Sequence, residues 1–359
     1  MSVNARTITN DEFFYGHKAC PGCGGALAVR QALKVLGPNA VAALPAGCMS
    51  ATGFNFPQLA FANNVMITPF AATASVLSGI EAGLRAQGIK PDNCTVVGFA
   101  GDGGTADIGL QALSGAIDRN DDILYICYDN EAYMNTGIQR SSETPFGAST
   151  TTTPAGPNHP GCVTGKKDLF AMVAAQGIPY AATASIGYMN DFLKKLEKAR
   201  DLHGTRFIHV MAPCPVGWGF PSSDTIDLGK AIVDCGLWYL AEYENGEFKL
   251  NRDPKEFAPV ADYLRGQSRY RALTEEDIAH IEQHRDESWE KLRKRLNAER
   301  AARTRYLLTK NPPGTHGARR IFSSCFGTKA LIRPSSLRRL PGLLPARGRK
   351  ARLPALRTP

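Results

Sequence analysis

Long apolar runs are absent from this sequence of 359 residues. Its longest apolar stretches have the length of a β-strand, whereas a membrane-spanning helix needs about 20 consecutive apolar residues. The first residues, MSVNARTITNDEFF, contain no apolar core of the kind that secretory signals carry. We therefore expect a cytoplasmic protein with no secretory leader and no membrane partner.

Acidic residues are absent from the last part of the chain. Residues 301–359 contain 14 Lys and Arg and no Asp or Glu, which leaves 28 basic and 33 acidic residues before them. The formal charge of +9 thus comes from this segment, and the rest of the chain is mildly acidic, with no nucleic-acid footprint. Because residues 311–359 combine charge of one sign with many prolines, we predict a disordered basic tail.

A disulfide framework is not indicated either, because nine cysteines occur without a secretory signal. Four of them lie beside Gly or Pro in predicted turns: Cys20 and Cys23 in GHKACPGCGG, Cys48 in LPAGCMS and Cys214 in MAPCPVGW. Four thiolates that converge from separate turns suit an iron–sulfur cluster or a zinc ion. The alternative is buried apolar cysteines, which are common. We adopt that interpretation for the others: Cys94, Cys127, Cys162, Cys235 and Cys325.

The segment from residue 95 to residue 137 has the pattern of a βαβ unit. An apolar strand at 95–100 precedes Gly101-Asp102-Gly103-Gly104, and a helix at 106–119 and a second apolar strand at 123–128 follow. A parallel sheet accommodates this pattern most easily, and its ligands lie at the carboxyl ends of the strands. The sequence therefore predicts an α/β fold with a mostly parallel sheet and flanking helices.

Two polar residues follow these strands and can meet at the same edge of the sheet. Asp102 and Asn130 each lie just past a strand end, and together with a main-chain carbonyl they suit Mg²⁺. The glycines of the Gly101–Gly104 turn let main-chain N–H groups approach a diphosphate. A lone GDG triplet is often only a turn, but the Asn-bearing turn after the next strand strengthens the prediction.

The stretch GDGGTADIGLQALSGAIDRNDDILYICYDNEAYMNTGIQRS closely resembles the β subunit of pyruvate:ferredoxin oxidoreductase, the thiamine diphosphate-binding subunit of that enzyme family. The resemblance runs from about residue 16 to residue 307 and includes CPGCG, the Cys48 turn, AATASI and PVADYLRGQSRYRAL. It implies a thiamine diphosphate-binding fold.

The resemblance also implies a role for each motif residue. Cys20, Cys23, Cys48 and Cys214 match the ligands of a [4Fe-4S] cluster, and Asp102, Asn130 and the carbonyl of Ala132 match Mg²⁺ ligands. The residues that match the thiamine diphosphate site are Gly101, Asp102, Gly103, Gly104, Asn130, Ala132, Asn135 and Thr136. Asn135 matches an asparagine at the reactive side of the cofactor and is the predicted catalytic residue.

The activity implied by the resemblance is oxidative decarboxylation of pyruvate with coenzyme A, with electrons passing through the cluster to ferredoxin. A branched substrate such as 2-ketoisovalerate is the alternative, because one extra methylene changes discrimination by only about 1–3 kcal/mol. The implied partners are α, γ and ferredoxin-like δ subunits.

Two segments depart from the family's pattern. The cluster turn has Cys48-Met49-Ser50 where the family commonly has a Glu, and residues 69–72 are Pro-Phe-Ala-Ala where the family often has Ala-Phe-Glu-Asn. No glutamate here matches the one that activates the aminopyrimidine ring of thiamine. In the family a partner chain supplies it, so we expect no turnover by this chain alone.

The rest of the chain continues the α/β alternation. We predict helices at 26–36, 72–87, 168–175, 188–202 and 274–296, and strands at 65–68 and 206–212. Residues 137–165 lack periodicity and form either a surface linker or, as we favour, a loop over the cofactor or a partner. Residues 1–310 form the predicted catalytic domain, in which 253–307 is a helical extension that packs on it or on a partner.

Two other classes of function remain open from the residues alone. One is a thiamine-dependent lyase or carboligase with a structural Cys₄ zinc, which would lack brown absorption. The other is a binding protein that acts through its basic tail, in which case GDG and CPGCG are coincidental turns. We assign His17 and Trp218 structural roles beside the cluster cysteines.

Overall fold

The computed structural model describes residues 3–157 and 159–310, with side chains up to residue 298. Contacts divide the chain into the units Met1–Arg303 and Thr304–Pro359, and only the end of one helix is described in the second unit. The predicted tail at 311–359 lies outside the described residues. Its boundary with the catalytic domain stays a prediction.

Strands and helices alternate along the first unit. The strands are β1 (Ala40–Pro45), β2 (Phe54–Asn55), β3 (Gln58–Leu59), β4 (Asn64–Thr68), β5 (Thr95–Gly101), β6 (Leu124–Asp129), β7 (Tyr180–Ser185), β8 (Arg206–Met211), β9 (Ala241–Glu244) and β10 (Glu247–Leu250). The helices are α1 (Gly24–Leu36), α2 (Cys48–Gly53), α3 (Thr73–Ala86), α4 (Leu110–Arg119), α5 (Leu169–Ala174), α6 (Met189–Asp201), α7 (Pro215–Trp218), α8 (Thr225–Asp234), α9 (Val260–Arg265) and α10 (Glu275–Lys310).

Eight strands form one mostly parallel sheet in the order β10-β9-β7-β8-β6-β5-β1-β4. The six strands from β7 to β4 are parallel, and the hairpin β9–β10 joins antiparallel to β7. Strands β2 and β3 form a separate small hairpin. The predicted fold class is confirmed.

Both faces of the central strands β1, β5, β6, β7 and β8 are buried, which explains why these strands are mainly apolar. Along β6, Leu124 and Ile126 belong to the core beneath α1 and α6, whereas Tyr125 and Cys127 belong to the core beneath α3, α4 and α5. This alternation follows from the two-residue repeat of a strand. A third core joins α7, α8 and α9 around Trp218.

The predicted helices and strands are present, and most bounds agree within two residues. The helix predicted at 106–119 differs, since a π-helical turn, Gly103–Asp107, comes first and α4 begins only at Leu110. The wide turn brings the Gly104 carbonyl so close to Gly109 that a Cβ there would lie 2.1 Å from the oxygen. Glycine at position 109 therefore permits the change of helix type.

Several elements lacked a sequence prediction. They are the strands β1 and β7, the hairpins β2–β3 and β9–β10, and the helices α2, α7, α8 and α9. The C-terminal helix was predicted at 274–296 but continues to Lys310. Among the described helices, none combines the length and the apolar character that a membrane span requires.

Candidate functional site

The predicted site residues lie at the ends of four neighbouring strands. In the order β8, β6, β5 and β1, these strands are followed by Cys214, Asn130, Asp102 and Cys48. All four strands are parallel, so their carboxyl ends lie at the same edge of the sheet. The sheet thus brings together residues that are more than 160 positions apart in the sequence.

Three oxygen atoms meet at the ends of β5 and β6. The side-chain oxygen of Asn130 lies 3.0 Å from Asp102 Oδ1 and 3.1 Å from the Ala132 carbonyl. With the amide turned over, its NH₂ group would donate to both oxygens instead. Neighbouring oxygens around Mg²⁺, with Mg–O distances of about 2.1 Å, lie about 3.0 Å apart. The three oxygens thus have the chemistry and spacing of one side of a magnesium site.

Glu131 gives this turn its unusual backbone. Its φ is +64°, in the left-handed region that side chains other than glycine rarely adopt. Its buried carboxylate lies 2.7 Å from the Arg269 guanidinium and 2.9 Å from Lys166 Nζ. The conformation places Asn130 and Ala132 on either side of one residue with their oxygens together. We interpret the two ion pairs as a clamp on the turn.

The carboxylate of Asp102 is fully buried and needs a counter-charge. Burial, and then the neighbouring Asp129 carboxylate, raise the pKa of Asp102 well above its usual range. Ser141 Oγ donates to Asp102 Oδ2 over 2.5 Å, and the Asn130 N–H donates to Oδ1 over 3.4 Å. A divalent cation at Oδ1 would favour the ionised form of this carboxyl group.

A network of buried charged side chains supports the turn that carries Asn130 and Ala132. Lys166 Nζ lies 2.7 Å from Asp129 Oδ2, and His209 Nε2 lies 3.0 Å from the same oxygen. Although burial opposes it, Lys166 and His209 lower the pKa of Asp129 to about 2. Asp129, His209 and Glu143 lie close enough to hold a metal ion. The Lys166 ammonium already provides the positive charge among them, so we do not assign a metal there.

Loop 137–165 packs against this network. Residues 141–144 are buried, so a surface linker is the wrong interpretation for them. Besides the bond from Ser141, Thr144 Oγ1 donates to the Glu131 carbonyl over 2.7 Å, and the Ser142 N–H donates to Asp107 over 3.1 Å. The loop therefore fixes both turns of the candidate metal site.

A narrow cleft opens beside the three oxygens. Its lining includes the predicted cofactor residues Gly101, Gly103, Gly104, Asn130, Ala132, Asn135 and Thr136, together with Cys48, Phe70, Tyr128 and Tyr133. A Cβ at Gly103 would lie 2.6 Å from the Tyr133 ring, so glycine is required where the ring packs. The cleft thus joins the oxygens, the glycine turn and one of the four cysteines.

The four cysteines lie at three loop ends around the same edge. Cys23 caps α1 and Cys214 caps α7, each with its sulfur accepting a main-chain N–H over 3.4 Å, and Cys48 begins α2. The Gly24 N–H donates to the Pro213 carbonyl over 3.2 Å, which joins the CPGCG turn to the Cys214 segment. Three of the cysteines therefore stand at helix starts, not in plain turns.

The four thiols are close enough to influence one another's ionisation. Burial, and then Cys23, Cys214, Asp102 and Cys20, raise the pKa of Cys48 to about 12. Burial raises the pKa of Cys214 to about 11, and Cys23 and Cys20 contribute. Thiolates crowded in this way need a bound cation or cluster to stay ionised. The four thiols have the chemistry of a soft metal centre, but in the described part of the chain no three of these sulfurs lie within 4.8 Å of one another.

Trp218 connects the two halves of the site. Its side chain is buried, and its indole N–H donates to the Asn130 carbonyl over 2.8 Å. The guanidinium of Arg269 stacks on the indole, 3.8 Å from the ring centre. His17 packs on Phe14, with 4.6 Å between the ring centres. Both residues pack as the sequence predicted.

In the two segments that depart from the family's pattern, the structure shows the contacts of Ser50 and Phe70. Ser50 Oγ accepts the Gly47 N–H over 2.9 Å and thereby fixes the Cys48 turn. In the segment 69–72, Phe70 lines the cleft. Among the described residues that line the cleft there is no glutamate or aspartate. Glu131 points instead into its two ion pairs, and Glu81 pairs with Arg85.

The structure brings all the predicted site residues to one edge of the sheet. Their roles as ligands stay a prediction. Sequence reasoning missed the supporting residues Ser141, Lys166 and Arg269. They lie on a loop and a late segment without periodicity, where only the tertiary fold brings them to the turn.

Comparison with known proteins supports the same interpretation. Residues 45–210 match the family model described as thiamine pyrophosphate enzyme, C-terminal TPP binding domain. This range contains the glycine turn and the Asn130 turn.

Relatives match over nearly their whole length. Pyruvate synthase subunit PorB of Methanothermobacter marburgensis is 50% identical over 287 residues, which cover 80% of this chain and 99% of that protein. Ketoisovalerate oxidoreductase subunit VorB of Pyrococcus horikoshii is 48% identical over 289 residues, covering 79% of this chain and 93% of that protein. Pyruvate synthase subunit PorB of Thermotoga maritima is 38% identical over 290 residues, covering 77% and 90%. The resemblance found in the sequence is confirmed: the chain belongs to the family of PorB and VorB subunits of 2-oxoacid oxidoreductases.

Proposed function

We propose that this chain is the thiamine diphosphate- and cluster-binding subunit of a 2-oxoacid:ferredoxin oxidoreductase that converts pyruvate and coenzyme A to acetyl-CoA and CO₂. The observation that carries the proposal is the approach of the Asp102, Asn130 and Ala132 oxygens, at 3.0 and 3.1 Å, beside the cleft. Membership of the PorB and VorB family supports the reaction class.

In this proposal the three oxygens hold Mg²⁺, which binds the diphosphate of the cofactor. Gly101, Gly103 and Gly104 line the cleft with main chain that could donate N–H groups to a diphosphate, and the exposed residues Asn135 and Thr136 line it as well. The cleft has a volume of only about 30 Å³, so the rings of Tyr133 and Phe70 beside the glycines would have to move for the cofactor to enter. When bound, thiamine diphosphate supplies the electron sink that decarboxylation of a 2-oxo acid requires. The chain's own task is to bind, orient and shield that cofactor.

Cys20, Cys23, Cys48 and Cys214 hold a [4Fe-4S] cluster in this proposal. Cys48 lines the same cleft as the glycine turn, so a cluster held by these cysteines would supply a one-electron acceptor near the cofactor site. A zinc ion would suit four thiolates as well but has no redox chemistry. The visible spectrum of anaerobically purified protein separates the two, because only the cluster gives brown absorption.

The cleft lining also supports partner subunits. Since no carboxylate of the described cleft residues can activate the aminopyrimidine ring, a partner chain supplies that group. The PorB and VorB relatives are themselves named as subunits. We propose α, γ and ferredoxin-like δ partners, with soluble ferredoxin as the final electron acceptor.

Pyruvate is the proposed substrate, with 2-ketoisovalerate as the competitor. The PorB and VorB relatives are 50% and 48% identical to this chain, so sequence identity hardly discriminates between pyruvate and 2-ketoisovalerate as the substrate. A panel of 2-oxo acids, assayed on the complete complex with a viologen dye, tests this choice. A higher kcat/KM for 2-ketoisovalerate would replace pyruvate in the proposal.

Asp102→Asn tests the metal site directly. The substitution keeps the size of the side chain but removes the carboxylate, so Mg²⁺-dependent binding of thiamine diphosphate should weaken by more than about a hundredfold. Asp121→Asn is the matched control, since Asp121 pairs with Arg119 at the end of α4, away from the cleft. Calorimetric titration with the cofactor is the measurement. Normal binding by Asp102→Asn would refute the assignment.

A further inference from the structure

Met134 borders both halves of the candidate site. It lines the cofactor cleft together with Cys48, and it is half-buried. It also packs against the third core, the one built around Trp218, and Cys214 packs against the same core. One residue of the Asn130 turn thus contacts both the cleft and the surroundings of the cysteine that follows β8.

Gly217 makes room for the Met134 thioether beside Cys214. A Cβ at Gly217 would lie 2.1 Å from Met134 Sδ and 2.5 Å from Met134 Cε, so even alanine there would collide with the thioether. The same Cβ would lie 3.5 Å from Cys214 Sγ. Both sulfur atoms therefore lie close to one point beside Gly217, and the end of the Met134 side chain lies next to the Cys214 thiol.

The Met134 thioether gives this thiol an apolar neighbour. The Cys214 sulfur accepts the Gly217 N–H over 3.4 Å. A thioether has no N–H or O–H group, so Met134 cannot donate a further hydrogen bond to the thiol. Its surface is apolar and polarizable. Met134 thus covers the cysteine without stabilising negative charge on the sulfur.

The spacing of the four cysteine sulfurs favours a centre wider than a single ion. Four thiolates that bind one zinc ion at about 2.3 Å would lie about 3.8 Å apart in a tetrahedral site. In the described part of the chain no three of these sulfurs lie within 4.8 Å of one another. A [4Fe-4S] cluster binds each thiolate through a different iron ion, so it suits sulfurs that are farther apart.

An iron–sulfur cluster with four thiolate ligands becomes more negative when it accepts an electron. Its reduction potential therefore depends on how well the surroundings stabilise negative charge, through hydrogen bonds to sulfur and through contact with water. Polar groups and water raise the potential. An apolar side chain that excludes them from a ligand lowers it.

We propose that Met134 tunes the reduction potential of the cluster: its thioether keeps water in the cofactor cleft away from Cys214 and thereby holds the potential low. Met134 is a positioning residue in this role, because it acts through the surroundings of a cysteine ligand. A low potential suits a centre that passes its electron on to ferredoxin, itself a carrier of low potential. The inference rests on the proposed function, in which the four cysteines hold a [4Fe-4S] cluster.

Redox titration of the anaerobically purified full chain, followed by its visible absorption, tests the proposal. Met134→Gln has a similar size but brings N–H donors. At a fixed potential its ratio of reduced to oxidised cluster should rise about tenfold, which is about 59 mV for a one-electron couple. Met134→Ala, which opens the space to water without bringing a donor, should shift the potential in the same direction.

Two further variants are controls. Met134→Leu keeps an apolar side chain of similar volume and should titrate as the wild type does. Met172→Gln makes the same exchange on α5, where Met172 is exposed and lies outside the cleft lining, and should also leave the potential unchanged. Iron content per chain and melting temperature are measured for every variant.

The outcomes separate a tuning role from a packing role. A lower melting temperature of Met134→Gln with an unchanged potential would overturn the proposal. Equal shifts in Met134→Gln and Met134→Leu would overturn it too, because the polarity of the side chain would then have no effect. A wild-type chain without iron would refute the proposed function and this inference together, whereas an unchanged potential in iron-loaded Met134→Gln would refute the inference alone.

Discussion

The indole N–H of Trp218 donates to the main-chain carbonyl of Asn130 over 2.8 Å. Trp218 ends the short helix that Cys214 caps, and Asn130 provides one of the three converging oxygens. One hydrogen bond therefore ties the cysteine segment to the candidate magnesium turn. In the proposed function, this bond fixes the position of the cluster relative to the cofactor.

Trp218→Phe should weaken the connection between the cysteine segment and the candidate magnesium turn. Phe keeps an aromatic ring for Arg269 to stack on, but it leaves the buried Asn130 carbonyl without its donor, at a cost of about 1–3 kcal/mol. We expect thiamine diphosphate affinity, measured calorimetrically with Mg²⁺, to fall about tenfold, with cluster absorption per chain unchanged.

Trp289→Phe is the matched control for this experiment. Its indole also donates to a buried carbonyl, that of Gly236 over 2.7 Å, but it packs on Phe257 and Arg293, away from the metal turn. It should lower the melting temperature without weakening cofactor binding. If both variants bind the cofactor equally well, the bond to Asn130 has no role in the site.

Glu131 offers a test of backbone strain. At a φ of +64°, Ala costs about 1–2 kcal/mol relative to an unstrained position, whereas Gly adopts this conformation freely. Both Glu131→Ala and Glu131→Gly remove the ion pairs with Lys166 and Arg269. If these pairs serve to hold the turn, Glu131→Gly should bind Mg²⁺ and thiamine diphosphate more tightly than Glu131→Ala.

The corresponding substitutions at Asn120 control for a general effect of this backbone conformation. Asn120 has a φ of +52° at the end of α4, away from the cleft. Asn120→Ala should lower the melting temperature relative to Asn120→Gly, with equal cofactor affinities. Cofactor affinities of the two Glu131 variants that equal each other and that of the wild type would show that the turn does not need the two ion pairs.

The sequence predicted the parts of the site that depend on local pattern. Apolar runs predicted the strands β5 and β6. Asp102 and Asn130 were predicted to lie close together because the carboxyl ends of parallel strands lie at one edge of a sheet. The spacing of Cys20 and Cys23 in CPGCG was by itself enough to indicate a metal site. Cys48 and Cys214 had no such signal, since only the sheet order β8-β6-β5-β1 makes them neighbours.

Other features required the tertiary structure. Strand β1, which lies beside β5 and carries Cys48 at its end, is short and rich in Ala, so its pattern is weak. The clamp of Lys166 and Arg269 on Glu131 joins residues up to 138 positions apart. No periodicity encodes such a contact, because it arises where a loop crosses the end of the sheet.

Glu143 should make stability depend on pH. Its side chain is buried, and in the described part of the chain neither carboxyl oxygen has a hydrogen bond. Burial raises the pKa of Glu143 from 4.5 to about 9 despite Lys166, whereas the unfolded chain titrates at the ordinary value. Between these values the folded state binds one more proton, so this group lowers the free energy of unfolding as the pH rises.

Glu143→Gln removes that dependence, because the amide resembles the protonated acid. The variant should melt at a higher temperature than the wild type at pH 8, and the difference should disappear near pH 4. Differential scanning calorimetry of the two proteins across this range is the measurement. A constant difference at all pH values would show that Glu143 is ionised in the folded protein.

The four-cysteine site predicts a selective loss of iron. Cys214→Ala removes one of the converging thiols and should lose the brown absorption and most of the roughly four iron ions per chain. Cys94→Ala should keep both, because Cys94 lies before β5, at the opposite edge of the sheet. Iron analysis of anaerobically purified protein decides. Zinc in place of iron in the wild-type protein would mean that the four-cysteine site has a structural role and no redox role.

The last prediction concerns the carboxylate that the cofactor needs and that the cleft lining lacks. Within the described cleft lining, oxygens are available for a metal but no carboxylate for the aminopyrimidine ring, and Glu131 is engaged with Lys166 and Arg269. The purified chain should therefore bind thiamine diphosphate and Mg²⁺ without decarboxylating pyruvate or reducing a viologen dye. Addition of the partner subunits should restore both activities, because a partner then supplies the missing carboxylate. Turnover by the chain alone, retained in Glu131→Gln, would mean that a residue outside the described cleft lining activates the cofactor.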